Sequence, residues 1–314
     1  MCVFNKRFDL ERNYLNPKNF GIWLIVAAMK TASRLEYRTL MRSVLFVGFF
    51  VKPFLKKRNR IARVNLRIAF PDLKEKEIRS IVRESYNSMM LSGAESIIAW
   101  FYSDEQFNKI DIEFDPGKYF EEAHANPRKT VLLLGYHFHS LEIAGRYTGK
   151  NYKPLTVMYQ KNGNSLLEDL IKEYREQNID KCFDSNNFIS VIKSLKRHVT
   201  MWYAPDQDFG LDSSGYKNSV FAPFFGTDCL TLTVTPWLAQ KTGAIVLPIY
   251  YVRKPNLSGY KIVVGNPLDF TGDTYVDATI TNKFLENVIR EYPEQYLWQH
   301  RRYRTRPDGE SQIY

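Results

Sequence analysis

Cysteine and histidine are both scarce in this sequence. Its 314 residues include three cysteines, Cys2, Cys182 and Cys229, which have no paired spacing. This pattern favours neither a disulfide framework nor a zinc-binding cysteine cluster, and a reducing compartment is expected. Only five histidines are present, and apart from the close pair His137 and His139 they show no metal-ligand spacing. We therefore predict no metal ion and no cofactor.

Long apolar runs are also missing. The two strongest, 22–29 and 44–51, fall well short of the roughly 20 residues that a membrane-spanning helix needs. Residues 1–13 lack the apolar segment of a secretory signal. Both apolar runs have basic flanks, which favours helices that lie in a membrane surface, or one marginal span. Two core helices of a soluble domain are the alternative.

Acidic residues are scarce in the N-terminal part. Residues 1–70 hold fifteen Lys or Arg and three Asp or Glu, a net charge of +12, whereas the whole chain carries +10. The remainder is close to neutral and contains no nucleic-acid-binding motif, so no nucleic-acid partner is predicted. Basic and apolar residues share the N-terminal stretch, which favours an anionic membrane surface. We expect a membrane-anchoring helical region at 1–60 and a catalytic domain at 61–314.

Short apolar runs alternate with helix-compatible stretches along the rest of the chain. Strands are predicted at 110–114, Val131–Leu134, Leu155–Tyr159, 200–204, 244–251 and Tyr260–Val264. Helices are predicted at 73–98, 166–177, 188–196, 230–241 and 276–290, and a loop at 209–216. This alternation is typical of an α/β fold with a mixed, mostly parallel central sheet flanked by helices.

One stretch gathers ionisable side chains after a buried strand. The predicted strand Val131–Leu134 ends at Gly135, and His137, His139 and Glu142 follow before a helix begins. Open α/β sheets place their sites at the carboxyl ends of strands. An imidazole can take a hydroxyl proton near neutral pH, and a carboxylate within reach fixes its tautomer. His137 and Glu142 can meet if the first lies in the turn and the second in the first helical turn; a solvated turn is the alternative.

Four sequence blocks carry a resemblance to a known family. The pattern H-x-x-x-x-E at 137–142 is followed by WYAPDQDFG at 202–210, SVFAPFFG at 219–226 and PEQYLWQHRRYRTRPDGE at 293–310. Together and in this order, they resemble the late acyltransferases of lipid A biosynthesis, of the lauroyltransferase type, within the lysophospholipid and glycerolipid acyltransferase superfamily. The resemblance extends from about residue 16 to the C-terminus.

The resemblance implies roles for four residues as catalytic groups. His137 would be the base and Glu142 the carboxylate that holds it. Arg175 falls where the family has a helix arginine, which can stabilise a developing oxyanion or bind an acceptor phosphate; a surface arginine is the alternative. Asp206 aligns with the family's P-D-x-D block and would support the base or orient sugar hydroxyls, whereas a turn role is the simpler interpretation.

Further residues are candidates for substrate binding. Asp208 lies two residues after Asp206 and can also orient sugar hydroxyls. A basic cluster near the C-terminus can bind phosphate groups, and the resemblance favours the phosphorylated disaccharide over a solvated helix end. The members of the cluster that we expect to bind substrate are His300, Arg301, Arg302 and Arg304. The aromatic run 220–225 either lines an acyl slot or belongs to the core.

The resemblance implies an acyltransferase at the cytoplasmic face of a bacterial inner membrane. It would move a fatty acyl chain from acyl carrier protein to a hydroxyl group of a Kdo-bearing lipid A precursor. In the expected mechanism Glu142 orients His137, and His137 removes the acceptor's proton so that the oxygen attacks the thioester directly. No acyl-enzyme is expected, because no Cys or Ser stands in the sequence context of a nucleophile, Ser140 being the only candidate nearby. Transfer to another glycolipid is one alternative, and a metal-dependent hydrolase with the two histidines and Glu142 as ligands is another.

Overall fold

The computed structural model of the chain describes residues 16–160, 163–185, 187–208, 210 and 218–314. Its α-helices are α1 Phe20–Ala32, α2 Tyr37–Val51, α3 Lys56–Ala69, α4 Glu75–Phe101, α5 Asp104–Asn108, α6 Gly117–Ala125, α7 Leu141–Asn151, α8 Ser165–Glu176, α9 Phe188–Leu195, α10 Val234–Thr242 and α11 Thr274–Glu291. Its strands are β1 Ile112–Asp115, β2 Val131–Leu134, β3 Leu155–Tyr159, β4 Lys181–Asp184, β5 Thr200–Tyr203, β6 Ser219–Phe224, β7 Thr227–Leu232, β8 Ile245–Arg253 and β9 Tyr260–Val264. Most of the loop predicted at 209–216 lies outside the described residues.

A seven-stranded sheet forms the centre of the fold, in the order β1-β9-β8-β2-β5-β3-β4. Strands β8, β2, β5, β3 and β4 are parallel to one another, and β9 pairs with β8 in the antiparallel direction. Helices cover the sheet, and one contiguous core of aliphatic and aromatic side chains fills the space between these layers. The predicted α/β fold with a mixed, mostly parallel sheet is confirmed.

Strand β2 occupies the middle of this sheet. All four of its residues, Val-Leu-Leu-Leu, are buried, as expected for a strand that is covered on both faces. The chain builds β3, β4 and β5 on one side of β2 before it crosses to β8 on the other. A reversal of this kind opens a crevice at the carboxyl ends of the strands. Gly135 follows β2 there, and a Cβ at this position would lie 2.0 Å from Nε1 of Trp202, so the turn requires glycine.

Two parts of the secondary structure differ from the prediction. The edge strand β4 was not predicted, because its four residues Lys-Cys-Phe-Asp carry too short a pattern. The antiparallel hairpin of β6 and β7 replaces the start of the helix predicted at 230–241, and the helix α10 begins at Val234. Pro223 lies in this two-stranded hairpin, where a missing N–H is tolerated.

The first helices pack onto α4. Leu40 and Met41 of α2 are buried against Leu91, Ala94 and Ile98 of α4. Helix α1 also meets α8, where Ile22, Trp23 and Val26 pack around the buried Leu166 and Leu170. Within the parts of the chain that the structure describes, every helix is too short or too polar to cross a membrane. The division into a region at 1–60 and a domain at 61–314 stays a prediction.

Candidate active site

A cavity of about 510 Å³ opens at the carboxyl ends of the parallel strands. His137 reaches it from the turn after β2, Glu142 from the first turn of α7 and Arg175 from the last turn of α8. Most of the remaining wall is apolar, and its members include Leu141, Val157, Met158, Ile171, Tyr174 and Val234. The cavity therefore combines a few converging polar groups with an apolar lining, which is typical of ligand-binding pockets.

A short hydrogen bond at the cavity joins His137 to Asp206. Nδ1 of His137 lies 2.6 Å from Oδ1 of Asp206, and the backbone N–H of His137 donates to Oδ2 at 3.1 Å. The carboxylate is buried, whereas 28% of the His137 side chain is exposed. Burial alone would raise the pKa of Asp206, but His137, by its charge and its two hydrogen bonds, and Arg302 hold that pKa below its ordinary value. Asp206 is thus a carboxylate that holds the imidazole at its Nδ1 edge.

This pairing corrects the expectation that Glu142 holds the base. Nε of Arg175 donates to Oε1 of Glu142 at 3.1 Å, with a second, shorter contact from its Nη2, and Nε1 of Trp100 donates to Oε2 at 3.0 Å. The reason is geometric: β2 and β5 are adjacent, so Asp206 leaves the sheet directly beside His137. Glu142 lies on the helix that follows and points into the same cavity beside α8.

The pair of Glu142 and Arg175 places a fixed charge in the cavity. Burial would lower the pKa of Arg175, but the charge of Glu142 and its hydrogen bonds raise that pKa above its ordinary value. The guanidinium is therefore charged and held in one position. Trp100 completes this arrangement by stacking on Tyr174 at a ring distance of 5.5 Å. Sequence analysis did not identify Trp100, because nothing in the pattern of α4 distinguishes it from a core aromatic residue.

The chemistry of the site follows from the hydrogen bond at Nδ1 of His137. With Nδ1–H directed at a carboxylate, Nε2 is the nitrogen that can accept a proton. Asp206 then stabilises the imidazolium that forms. The site is suited to removing a proton from a hydroxyl group bound in the cavity, beside a positive charge that can stabilise a developing oxyanion.

Two of the predicted substrate-binding residues, Asp208 and His300, instead bond to other parts of the protein. Asp208 is buried and accepts hydrogen bonds from the backbone and hydroxyl of Thr305 at 2.7 and 2.9 Å. Nε2 of His300 accepts from the backbone N–H of Asp208 at 2.9 Å. Burial lowers the pKa of His300 to about 4, so its ring is neutral. The two residues join the C-terminal segment to the loop after β5.

Arg302 is also held inside the protein. Its guanidinium is buried and donates to the carbonyl of Leu230 at 2.7 Å, to Oγ1 of Thr231 at 3.2 Å and to Oδ1 of Asn282 at 3.3 Å. A cation in this position supports strand β7 and does not reach a phosphate in solvent, which corrects the expectation from the basic cluster. Arg301 is half-buried over the ring of Tyr314, and Arg304 is exposed.

The second histidine of the motif has a structural environment. His139 is buried, and its Nδ1 lies 2.8 Å from Oγ of Ser88. Burial and the nearby Arg253 lower its pKa to about 3, so the ring is neutral. Among the described residues, no cluster of three or more His, Cys, Asp or Glu side chains could hold a metal ion.

Comparisons with known proteins agree on one family. The model of the family described as bacterial lipid A biosynthesis acyltransferase matches residues 7–305. The chain is 32% identical over 307 residues to the lipid A biosynthesis palmitoleoyltransferase of Escherichia coli K12, covering 97% of each chain. It is 32% identical over 301 residues to the lipid A biosynthesis lauroyltransferase of the same organism, covering 94% of this chain and 95% of the relative. A lipid A biosynthesis acyltransferase of Haemophilus influenzae is 32% identical over 306 residues, covering 96% of this chain and 95% of the relative.

The neutral histidines predict a pH-dependent stability. The unfolded chain takes up a proton at His139 and at His300 near pH 6.5, whereas the folded state does so only near pH 3 and pH 4. The free energy of unfolding should therefore fall as the pH drops from 6.5 to 5, by about 1.4 kcal/mol per pH unit for each ring. Replacing His139 with Gln should make this slope shallower, as measured by urea unfolding at several pH values.

A matched control is available at His124, which is exposed. His124→Gln should leave the slope unchanged. A slope in His139→Gln equal to that of the unmodified protein would contradict the neutral state of the buried ring.

Proposed function

Because the chain belongs to the bacterial lipid A biosynthesis acyltransferases, we propose that it transfers a fatty acyl chain from acyl carrier protein to a hydroxyl group of a Kdo-bearing lipid A precursor. The observation that carries the proposal is the bond between Asp206 and His137, which lines an apolar cavity. A base of this kind suits an alcohol acceptor, and an apolar lining suits a fatty chain.

The transfer is direct in the proposed mechanism. Nε2 of His137 removes the proton of the acceptor hydroxyl while its oxygen attacks the carbonyl carbon of the thioester. The tetrahedral intermediate collapses by breaking the C–S bond, and the sulfur of the carrier takes the proton from the imidazolium. Asp206 stabilises the positive ring between these steps.

The environment of the candidate nucleophiles supports direct transfer. Ser140 is buried and donates its hydroxyl hydrogen bond to Glu95. Burial raises the pKa of Cys182 to about 12 and also raises the pKa of Cys229. Thiols in this state are not activated. None of these three side chains is therefore an activated nucleophile that could form an acyl-enzyme.

Glu142 and Arg175, which also line the cavity, serve the same reaction. Glu142 fixes the guanidinium, and the guanidinium stabilises the negative charge on the former carbonyl oxygen or binds a phosphate of the acceptor. A fixed charge that need not reorganise during the reaction is worth more in a cavity than in water. In this arrangement the two carboxylates of the site have separate partners.

Exposed apolar side chains support attachment to the cytoplasmic face of the inner membrane. Phe49 and Phe54 are 71% and 85% exposed, at the end of α2 and in the turn that follows it. Lys52, Lys56 and Lys57 are exposed beside them. Aromatic side chains that enter the acyl boundary and lysines that remain at the headgroups form an interfacial binding surface. The N-terminal region in this proposal lies on the membrane.

Kinetics of two carboxylate variants test the assignment of the base. Asp206→Asn should lower kcat about 100-fold or more with little change in KM, because the charge that stabilises the imidazolium is lost. Glu142→Gln should lower kcat less, since its effect passes through Arg175, and His137→Ala should abolish transfer. Initial rates with acyl carrier protein thioester and lipid A precursor measure these changes, with thermal melting as the control for folding. A greater loss in Glu142→Gln than in Asp206→Asn would identify Glu142 as the partner of the base in the working enzyme.

Mass spectrometry of lipid A tests the function itself. Lipid A from cells that express the protein should carry one acyl chain that is absent when the gene is deleted. The mass difference between the two identifies the chain that is transferred. Restoration by the unmodified protein but not by His137→Ala links the change to this site, and an unchanged acyl pattern after deletion would defeat the assignment.

Vesicle binding tests the membrane surface. Phe49→Asp with Phe54→Asp should weaken binding to vesicles that contain anionic lipid at least tenfold, since each buried phenylalanine contributes about 1.5–3 kcal/mol. Tyr275→Asp is the control, because Tyr275 is 50% exposed on α11. Equal binding by the double variant and the control in a sedimentation assay would remove this surface from the proposal.

A further inference from the structure

A buried ion pair lies beneath the loop that carries the base. Nε and Nη2 of Arg253, at the end of β8, lie 2.8 and 2.7 Å from Oε1 of Glu95 in the C-terminal half of α4. Nη1 of Arg253 donates to Oγ of Ser88, which lies about two turns before Glu95 on α4, at 3.2 Å. All three residues are buried, and the mechanism above uses none of them.

This cluster contacts the loop 137–140 at two side chains. Oγ of Ser140 donates to Oε1 of Glu95 at 3.2 Å. Nδ1 of His139 and Oγ of Ser88 share a hydrogen bond at 2.8 Å, and the same hydroxyl accepts from Arg253. The two residues that directly follow Phe138 are therefore tied to α4 by directional bonds.

The main chain of Arg253 leads to the same loop by a second route. The side-chain amide of Gln295 bonds to Arg253 twice, accepting from its backbone N–H at 2.7 Å and donating to its carbonyl at 3.0 Å. The carbonyl of Gln295 accepts the backbone N–H of His139 at 2.9 Å, and the backbone N–H of Leu297 donates to the carbonyl of His137 at 3.0 Å. Arg253 thus supports the loop through both its side chain and its backbone.

Stability alone is a weak reason for such a cluster. A buried ion pair gains little over a well-packed apolar pair, because desolvation of the two charges offsets their attraction. Directional hydrogen bonds, in contrast, fix a segment in one position. The His137 ring needs this, since Asp206 holds it at one edge only, and an error of about 1 Å in a reacting group can cost about 100-fold in rate.

We propose that Arg253, Glu95 and Ser88 are positioning residues for the transfer reaction, acting through His139 and Ser140 to hold the ring of His137 at the acceptor oxygen. They touch no reacting atom. The inference rests on the proposed function, because it assigns these residues to the same base.

The test removes the side-chain hydrogen bonds between the loop and the cluster without leaving a buried charge unpaired. Ser88→Ala with Ser140→Ala removes both side-chain bonds to the loop and keeps the pair of Glu95 and Arg253. We expect kcat to fall about 10- to 100-fold with KM unchanged within about twofold. Amide hydrogen exchange at residues 137–140, measured by mass spectrometry on the full chain, should become faster.

Ser85→Ala is the matched control, because Ser85 is a buried serine on the same helix whose Oγ accepts from Nε2 of Gln299 at 3.0 Å. It should keep the kcat of the unmodified protein, and Ser140→Thr, which retains the hydroxyl, should recover most of the activity lost in Ser140→Ala. The proposal would be overturned if the double variant lost no more activity than Ser85→Ala. It would also be overturned if the double variant kept the hydrogen exchange and the kcat of the unmodified protein. An unmodified protein that transfers no acyl chain would defeat the proposed function instead, and the exchange comparison would still decide whether the cluster holds the loop.

Discussion

The hydrogen bond between His137 and Asp206 is the interaction on which the arrangement of the site depends. It joins the loops that follow two adjacent parallel strands, and the register of β2 and β5 brings these loops off the sheet at the same level, with Leu134 opposite Tyr203. A backbone bond from Gly135 to the carbonyl of Tyr203 continues the pairing by one residue. The pairing of β2 with β5 therefore determines where the base lies.

Around this bond the fold buries several charges, and each is paired. Asp206 has His137, Arg175 has Glu142, Arg253 has Glu95, and Arg302 has carbonyl and amide oxygens. Burying a charge without a partner would cost several kcal/mol. The pairs come from segments distant in sequence, so they exist only when the sheet, α4 and the C-terminal segment have assembled. The site and the core of the protein are therefore parts of one cooperative structure.

Much of this fold could be predicted from the sequence, because its strands are local patterns. The bounds of β2, β3 and β9 were predicted to the residue, and His137 was found because it follows a strand directly. The partner of His137 was not found, since Asp206 is 69 residues away and the nearer Glu142 satisfies the same chemical rule. Arg302 was misassigned for a related reason: the sequence shows a run of arginines but does not show which of them points inward. Pairing between distant segments is a property of the assembled sheet.

The C-terminal segment that borders the loop has a consequence for biosynthesis. His139 and Gln295 bond to each other although about half of the chain separates them. A ribosome that has just finished β2 has not yet made the residues that hold the neighbouring turn, and contacts between such distant positions form slowly. The turn that carries the base is thus made well before the segment to which it bonds. The reaction centre can therefore assemble only after synthesis has passed Leu297.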